Sequence, residues 1–231
     1  MRSDLAALAA GAAWFGPAAA PVVRPVATAF RLPCTVPRDG VALTFDDGPH
    51  AEGTPEVLDV LAAHDVKATF FLVGEQVDRD RALAREIASA GHEIGIHGYR
   101  HTLLLRRSPR AIRDDLVRAR EVIADATGTE PRLYRPPYGV FSGPALLIVR
   151  RLGWRPLLWS RWGRDWEARA TAASIAALAS RDLRNGDVVL LHDADHYSSV
   201  GSWRRTVDAL PALLASAAES GLSVSSVSHS T

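Results

Sequence analysis

The sequence predicts an α/β fold, a single domain built around a sheet of parallel strands. From residue 41 onward, short apolar runs alternate with longer amphipathic segments, which is the pattern of consecutive βαβ units. Several of the short runs are apolar at every position, as expected for strands buried on both faces of a parallel sheet. About seven such units in a chain of 231 residues favour a barrel over an open sheet, although this pattern alone does not separate the two.

The predicted strands are short apolar runs that end in turn-forming or polar residues. In chain order they cover residues 41–45, 68–73, 92–97, 132–135, 155–160, 187–193 and 222–227. Each of the first six is followed by a segment with the apolar periodicity of a helix, so consecutive strands are expected to be parallel.

The predicted helices cover residues 54–64, 80–91, 108–128, 143–153, 170–186 and 203–221. The strongest end signals belong to 108–128, where Ser108 is typical of an N-cap, Pro109 of the first helical position and Gly128 of a C-terminal stop. Thr54 is predicted to cap the first helix in the same way. Gly186, after an asparagine, is predicted to end the fifth helix.

Residues 1–37 form an apolar, Ala/Pro-rich arm ahead of the predicted domain, which covers residues 38–231. The arm has an early arginine and a long apolar run, as export signals do, but Asp4 weakens its positive start. Pro17 and Pro21 interrupt any continuous membrane-spanning helix. The arm is compatible with an exported or membrane-associated protein that faces the cell envelope, and equally with a packed or disordered segment; a cytoplasmic location stays open.

Composition excludes several classes of function. The formal net charge of +1 gives no electrostatic basis for binding nucleic acid. Cys34 is the only cysteine, which excludes an internal disulfide and a cysteine-based zinc site. Nothing in the sequence around Cys34 supplies the histidine or carboxylate partner that a nucleophilic thiol needs.

Titratable and aromatic side chains follow the ends of several predicted strands. Because the carboxyl ends of parallel strands meet at one face, where barrel enzymes form their active sites, we expect these side chains to share one site. They are Asp46 and Asp47, His97 and His101, Arg135 and Tyr138, Arg164, Asp165 and Trp166, and His192 and Asp193. Ordinary polar turns would explain one or two of these groups, but not all of them.

Two adjacent carboxylates at a strand end repel each other, so Asp46 and Asp47 are either solvated turn residues or are held by a cation. His97 and His101 are four residues apart, a spacing that brings two imidazoles together on a helical turn. Two histidines and one carboxylate are a common ligand set for hydrolytic zinc, with one position open for water. The alternative is a pair of surface histidines. The combination predicts a divalent metal, Zn²⁺ or Co²⁺.

The other side chains at these strand ends suit acid–base catalysis. A metal lowers the pKa of its water, and the aspartate that does not bind the metal is free to take the proton. Arg135 is placed to pair with that aspartate and keep it ionised. His192, oriented by Asp165, is the candidate acid for a leaving amine. The set predicts metal-assisted hydrolysis of an acyl group.

At these residues the sequence resembles the polysaccharide deacetylase family, carbohydrate esterase family four, which includes chitin deacetylases and peptidoglycan N-acetylglucosamine deacetylases. The five ordered motifs of that family read here TFDDGP (44–49), HGYRH (97–101), RPPYG (135–139), RDW (164–166) and LLHD (190–193). A lone DD or HxxxH would be a weak signal. All five in order, within residues 41–227, are highly specific.

The resemblance implies a distorted (β/α)7-type barrel and a division of labour between the two aspartates. Asp46 is implied as the base, steadied by Arg135, and His192 as the acid, tuned by Asp165. Asp47 is implied as a metal ligand.

The same resemblance implies the rest of the site. His97 and His101 complete the implied metal ligands. The backbone N–H of Tyr138 is implied to stabilise the oxyanion, and Trp166 and Leu190 to shape an acetyl pocket.

Two positions depart from the pattern of the family. The residue after the first histidine of the second motif is usually Ser or Thr, and here it is Gly98, which predicts at most a looser loop. An earlier Asp of the fourth motif is replaced by Trp162, which bears on substrate fit more than on chemistry.

The resemblance implies a metal-dependent hydrolase that removes N-acetyl or O-acetyl groups from an acetylated glycan, chitin-like or peptidoglycan. Two alternatives remain at this stage. One is an amide hydrolase of the same fold with a non-sugar substrate. The other is a weakly active glycan-binding module.

Overall fold

The core of the protein is one sheet in which every pairing between named strands is parallel. The computed structural model describes residues 11–228. The strands are β1 (Val41–Asp46), β2 (Thr69–Leu72), β3 (Glu93–Ile96), β4 (Leu133–Tyr134), β5 (Arg155–Pro156), β6 (Arg161–Trp162), β7 (Val188–His192) and β8 (Val224–Ser225). Seven of them follow the order β5-β4-β3-β2-β1-β7-β6, and β8 pairs with the start of β1.

Helices connect the strands and pack against the sheet. They are α1 (Arg24–Ala29), α2 (Gly53–Ala63), α3 (Gly74–Arg79), α4 (Arg81–Ser89), α5 (Pro109–Thr127), α6 (Gly143–Arg151), α7 (Ala172–Ala179) and α8 (Ser202–Glu219). Helix α5 begins and ends as its sequence predicts. The Ser108 hydroxyl accepts a hydrogen bond from the Ala111 N–H, and Gly128 takes the left-handed conformation (φ +69°) that stops the helix.

The sheet curls into a distorted barrel. Strands β5 and β6 lie at opposite ends of the strand order, yet only residues 157–160 separate them in the chain. The two ends of the sheet must therefore come close together, which a flat sheet does not permit. The prediction of an α/β barrel of about seven parallel strands is confirmed.

Two predicted elements are wrong in extent, and one short strand was not predicted. The strand predicted over 155–160 pairs only at Arg155–Pro156, because the carbonyls of Leu157 and Leu158 accept hydrogen bonds from the Arg135 side chain. The short strand β6 that follows was not predicted. The helix predicted over 170–186 ends at Ala179, because the chain then turns so that the Arg184 N–H reaches the Asp187 carboxylate.

The start of α2 also differs from the prediction. Thr54 is not the N-cap but lies buried in the first turn of α2. Its hydroxyl accepts a hydrogen bond from the His50 N–H and donates one to the Asp193 carboxylate. Helix α3 was not predicted at all, since its six residues are too few to carry a helical periodicity.

Part of the N-terminal arm packs onto the domain. Ala20, Ala27 and Leu32 are buried within the main hydrophobic core. Among residues 11–228, the helices are too short or too polar to span a bilayer. Residues 1–10, which carry the start of the predicted export or membrane segment, lie outside the described residues, so the division at residue 37 and the location of the protein stay predictions.

Helix α2 packs closely against the segment after β7, and a substitution at Gly53 tests this contact. A Cβ on Gly53 would lie 2.2 Å from the backbone oxygen of Asp193. Because backbone cannot move aside cheaply, we expect Gly53→Ala to lower the free energy of unfolding by about 1–3 kcal/mol, measured by urea denaturation. Gly11→Ala, where nothing lies within 4 Å of the added carbon, is the matched control, and equal stability of the two variants would contradict the packing.

Candidate active site

Asp46 and Asp47 face the same cavity although they are neighbours in the chain. Asp46 ends β1, and successive side chains of a strand point to opposite faces. Asp47 breaks this alternation with a φ of +79°, a left-handed conformation uncommon for a residue with a side chain. Both carboxylates are buried and line a cavity of about 300 Å³. The backbone turn at Asp47 therefore brings two adjacent carboxylates to one site.

Asp47, His97 and His101 form a compact cluster. The Nε2 atoms of His97 and His101 lie 3.4 and 3.3 Å from the same oxygen, Oδ1 of Asp47, and the ligand atoms of all three residues lie within 4.8 Å of one another. This Oδ1 is buried and has no hydrogen-bond partner among the described residues. Tetrahedral zinc with bonds of about 2.0–2.2 Å would separate its ligands by roughly 3.3–3.6 Å, so these residues fit a divalent metal.

Electrostatics keep Asp47 and His101 in the states that a metal needs. Burial alone would raise the pKa of Asp47, but the facing imidazoles of His97, His192 and His101 outweigh it and lower that pKa to about 2. Burial also lowers the pKa of His101 to about 4. At neutral pH the carboxylate is therefore ionised and the His101 imidazole neutral, as metal ligands must be.

Arg135 pairs with Asp46 in a fully buried ion pair. Its Nη1 lies 2.7 Å from Oδ1 of Asp46 and also donates to the hydroxyl of Thr44. The guanidinium is completely buried, and its other donors bind the carbonyls of Leu157 and Leu158. The second oxygen of Asp46 is 3.8 Å from Nε2 of His97, so the aspartate held by Arg135 lies beside the cluster of Asp47, His97 and His101 without belonging to it.

His192 is oriented from its Nδ1 side. That nitrogen lies 3.0 Å from Oδ1 of Asp165, and the other oxygen of Asp165 accepts hydrogen bonds from the His192 N–H and from the hydroxyl of Thr206. Nε2 of His192 then faces the cluster of Asp47, His97 and His101, and lies 3.9 Å from Oδ2 of Asp47. Burial would lower the pKa of His192. The negative charge of Asp165, and to a smaller extent those of Asp47 and Asp46, instead raise this pKa to about 10.

The other predicted residues line the same cavity. Leu190 is buried on β7, Trp166 places its ring edge-on to His192 with centroids 5.5 Å apart, and Tyr138 is 56% exposed. Tyr138 has a φ of +60°, and no backbone hydrogen bond between described residues uses its N–H. That N–H is therefore free to donate to a substrate.

Two other residues at the strand ends do not enter the cavity. Arg164 is exposed and forms an ion pair with Glu167 at 3.0 Å. Asp193 is buried behind the site against Thr54, and burial raises its pKa to about 7. Neither lines the cavity.

Sequence reasoning missed four residues of the site. Trp159, Tyr197 and Ser198 line the cavity, and Thr206 holds Asp165. Trp159 was assigned to a regular strand, where its direction follows from alternation, and the loop that carries Tyr197 has no periodicity. The signal that was available is position, since both aromatic residues lie within a few residues of a motif.

The two departures from the family pattern have structural consequences. Gly98 has a φ of +89°, and an added Cβ would lie 3.2 Å from the carbonyl of Arg100. A residue with a side chain would therefore be strained at this position. The backbone of this loop is held instead by Asp115 of α5, which accepts a hydrogen bond from the Tyr99 N–H. Trp162 lies on β6 and packs edge-on against Trp159.

A second cluster of histidine and carboxylate groups contains His50, Asp195 and His196. Nδ1 of His50 accepts hydrogen bonds from the N–H groups at the start of α2, the shorter from Gly53 at 2.9 Å. The proton of the neutral ring is then on Nε2, which donates to Asp195 at 3.2 Å. Neither ring nitrogen of His50 keeps a free lone pair, so this cluster holds the start of α2 and does not fit a metal.

Comparison with known proteins identifies the family of this chain. The family model described as polysaccharide deacetylase matches residues 34–157, which include the first three motifs. The chain belongs to the polysaccharide deacetylase family. The resemblance seen in the sequence and the expectation of a carbohydrate deacetylase are thereby confirmed.

Relatives in this family carry two kinds of name. A peptidoglycan N-acetylglucosamine deacetylase of Bacillus cereus is 34% identical over 177 residues, 75% of this chain and 79% of that protein. A chitooligosaccharide deacetylase of a Bradyrhizobium species is 39% identical over 154 residues, 66% of this chain and 70% of that protein.

Solved structures agree in fold. The peptidoglycan N-acetylglucosamine deacetylase Bc1960, crystallised with a hydroxamate-type benzamide, has a TM-score of 0.78 at 31% identity, covering 85% of this chain and 89% of that one. A pseudoenzyme of carbohydrate esterase family four from Bacillus anthracis has a TM-score of 0.74 at 29% identity, covering 83% and 64%. Because the fold also carries a pseudoenzyme, the roles of individual residues have to be argued from the site.

The buried ion pair gives a stability test. Arg135→Met leaves the Asp46 carboxylate buried and unpaired, so we expect the free energy of unfolding to fall by about 3–5 kcal/mol, measured by urea denaturation. Arg161→Met, which breaks the partly exposed pair with Asp187, is expected to cost clearly less. Equal losses in the two variants would contradict the role of the buried pair.

The raised pKa of His192 gives a pH test in metal-free protein. The pKa of the folded state, about 10, lies above the ordinary value of about 6.5. The protonated ring therefore stabilises the fold fully below pH 6.5, and this contribution is lost as pH rises towards 10. With a chelator present, we expect wild-type stability between pH 7 and 10 to fall more steeply than that of His192→Gln, by up to about 1.4 kcal/mol per pH unit. Parallel profiles would contradict the assignment.

Proposed function

We propose that this protein removes N-acetyl groups from an acetylated glycan of the peptidoglycan or chitooligosaccharide type by metal-dependent hydrolysis. The observation that carries the proposal is the convergence of three groups on one cavity. These are the ligand cluster of Asp47, His97 and His101, the Asp46–Arg135 pair and the His192–Asp165 pair. The substrate class is supported by the names of the relatives, whereas the site itself specifies only acyl hydrolysis.

Asp46 is the proposed base. Its Oδ1 is held by Arg135 in a charge-assisted hydrogen bond. Its Oδ2 faces His97 and the cavity, where it can accept a proton from the attacking water. A divalent metal held by Asp47, His97 and His101, Zn²⁺ or Co²⁺, would polarise the acetyl carbonyl and activate the water.

His192 is the proposed acid. With a pKa of about 10 in the metal-free protein, its ring is protonated at neutral pH. Because Nδ1 is hydrogen-bonded to Asp165, the proton that can be given up is on Nε2, which faces the cavity. It would pass to the nitrogen of the leaving amine, which must be protonated as the carbon–nitrogen bond breaks.

The walls of the cavity suit an acetyl group. Leu190 and Trp166 supply apolar surface beside His192, and the unpaired N–H of Tyr138 would donate to the oxygen that becomes negatively charged during attack. The exposed ring of Tyr138 lies at the mouth of the cavity, where a sugar ring can pack on it.

Acetate release tests the proposal. We expect purified protein to release acetate from N-acetylglucosamine oligomers or from peptidoglycan, to lose this activity with a chelator and to regain it with zinc or cobalt. Asp46→Asn removes the base and is expected to lower kcat by about 10²–10⁴-fold. Asp59→Asn, the same change on an exposed residue of α2, is the control and should leave kcat unchanged.

The outcomes separate the alternatives. Glycan binding without acetate release would favour a binding module. Release from small acetamides but not from any glycan would favour a non-sugar amide hydrolase. Full activity of Asp46→Asn after complete metal removal would contradict the mechanism.

A further inference from the structure

The two histidines of the ligand cluster are oriented in different ways. A histidine that binds a metal is usually held in place by a hydrogen bond from its other ring nitrogen. His97 follows this rule, since its Nδ1 lies 2.8 Å from the carbonyl of Arg135. His101 does not, because its Nδ1 is buried and has no hydrogen-bond partner within residues 11–228. Something other than a hydrogen bond must fix the plane of this ring.

Two tyrosine rings enclose the imidazole of His101. Tyr197 lies flat on it, with ring centroids 4.1 Å apart and planes only 11° from parallel. Tyr138 meets it edge-on at 4.5 Å and 66°. Rotation of the His101 ring about its Cβ–Cγ bond would drive it into one of these rings, so packing restricts the direction in which Nε2 points.

The ring of Tyr197 is itself held in place through its hydroxyl group. Its hydroxyl donates a hydrogen bond to Oε1 of Glu75 at 2.8 Å and accepts one from Nε2 of Gln76 at 2.9 Å. The same first turn of α3 binds the loop between the two histidines, because the N–H groups of Gly74 and Glu75 donate to the carbonyls of Gly98 and Tyr99. One short helix therefore fixes both the backbone that carries His101 and the ring stacked on it.

We propose that Tyr197 is a positioning residue for the metal site: by stacking on His101, and anchored by Glu75 and Gln76, it does for this ligand what a hydrogen bond does for His97. The inference rests on the proposed metal-dependent function, because it assumes that His101 is a ligand. Tyr197 would not touch the metal. Its contribution is to keep Nε2 of His101 directed at Oδ1 of Asp47 before the metal binds.

A simpler role for Tyr197 is that of a wall of the substrate cavity, which it also lines. The two roles differ in what they change. A wall alters KM for the glycan and leaves metal affinity untouched, whereas a positioning residue alters metal affinity in the absence of any substrate.

The experiment is a titration of metal-free protein with Co²⁺, followed by visible absorption and by calorimetry. We expect Tyr197→Ala to bind Co²⁺ about 10–100-fold more weakly than wild type, with a changed intensity of the cobalt bands because the His101 ring is no longer fixed. Tyr197→Phe keeps the stacked ring and loses the hydroxyl that Glu75 and Gln76 hold, so we expect only a small loss of affinity, no more than about threefold. Val200→Ala, in the same loop but 92% exposed, is the matched control.

Each result decides between the roles. Wild-type affinity and an unchanged cobalt spectrum in Tyr197→Ala, with a change only in KM, would overturn the proposal. Failure of wild type to bind Co²⁺ would instead overturn the metal site on which the proposed function stands. Circular dichroism of the metal-free variants checks folding. If Tyr197→Ala does not fold, Tyr197→Leu, which fills the space without a stacking ring, is titrated under the same criteria.

Discussion

The buried guanidinium of Arg135 is the constraint on which the rest of the site depends. A charged group without exposure to water is tolerated only when it is paired and its donors are satisfied. Arg135 meets this requirement by reaching across the barrel, from the end of β4 to Asp46 and Thr44 of β1 and to the carbonyls after β5. Its face also packs on the ring of Phe71, 4.1 Å from the ring centroid. The pair therefore fixes Asp46, the proposed base, and ties together the part of the barrel where β5 and β6 are not paired.

The same residue also orients one of the proposed metal ligands through its backbone. The carbonyl of Arg135 accepts a hydrogen bond from Nδ1 of His97, so Nε2 faces Asp47. A single position at the end of β4 thus orients the proposed base through its side chain and one proposed ligand through its main chain. Asp165 orients His192 with both carboxylate oxygens, one bound to the His192 N–H and the other to its Nδ1. The active site is consequently a set of side chains whose directions are determined by buried partners rather than by the strands alone.

Sequence and structure agree most closely where a local pattern carries the information. The caps of α5, the buried strands β1, β2 and β7 and the five motifs are local features, and all were found where predicted. The apolar composition of residues 155–160 predicts a strand, because it does not reveal that the carbonyls of Leu157 and Leu158 accept hydrogen bonds from a distant arginine. The sequence around Thr54 predicts a cap, because its actual partner, Asp193, is 139 residues away in the chain.

By itself, the sequence determined the parallel α/β architecture, the family and the chemical types at the site, because hydrophobic periodicity and motif order are written in the chain. It also placed the candidate ligands and acid–base residues at strand ends. Only the tertiary structure decided how each group is held: the left-handed turn at Asp47, the burial of Arg135 and the stacking of Tyr197 on His101. These depend on contacts between segments far apart in sequence, and the free energy of such contacts comes from burial and packing that no local pattern encodes.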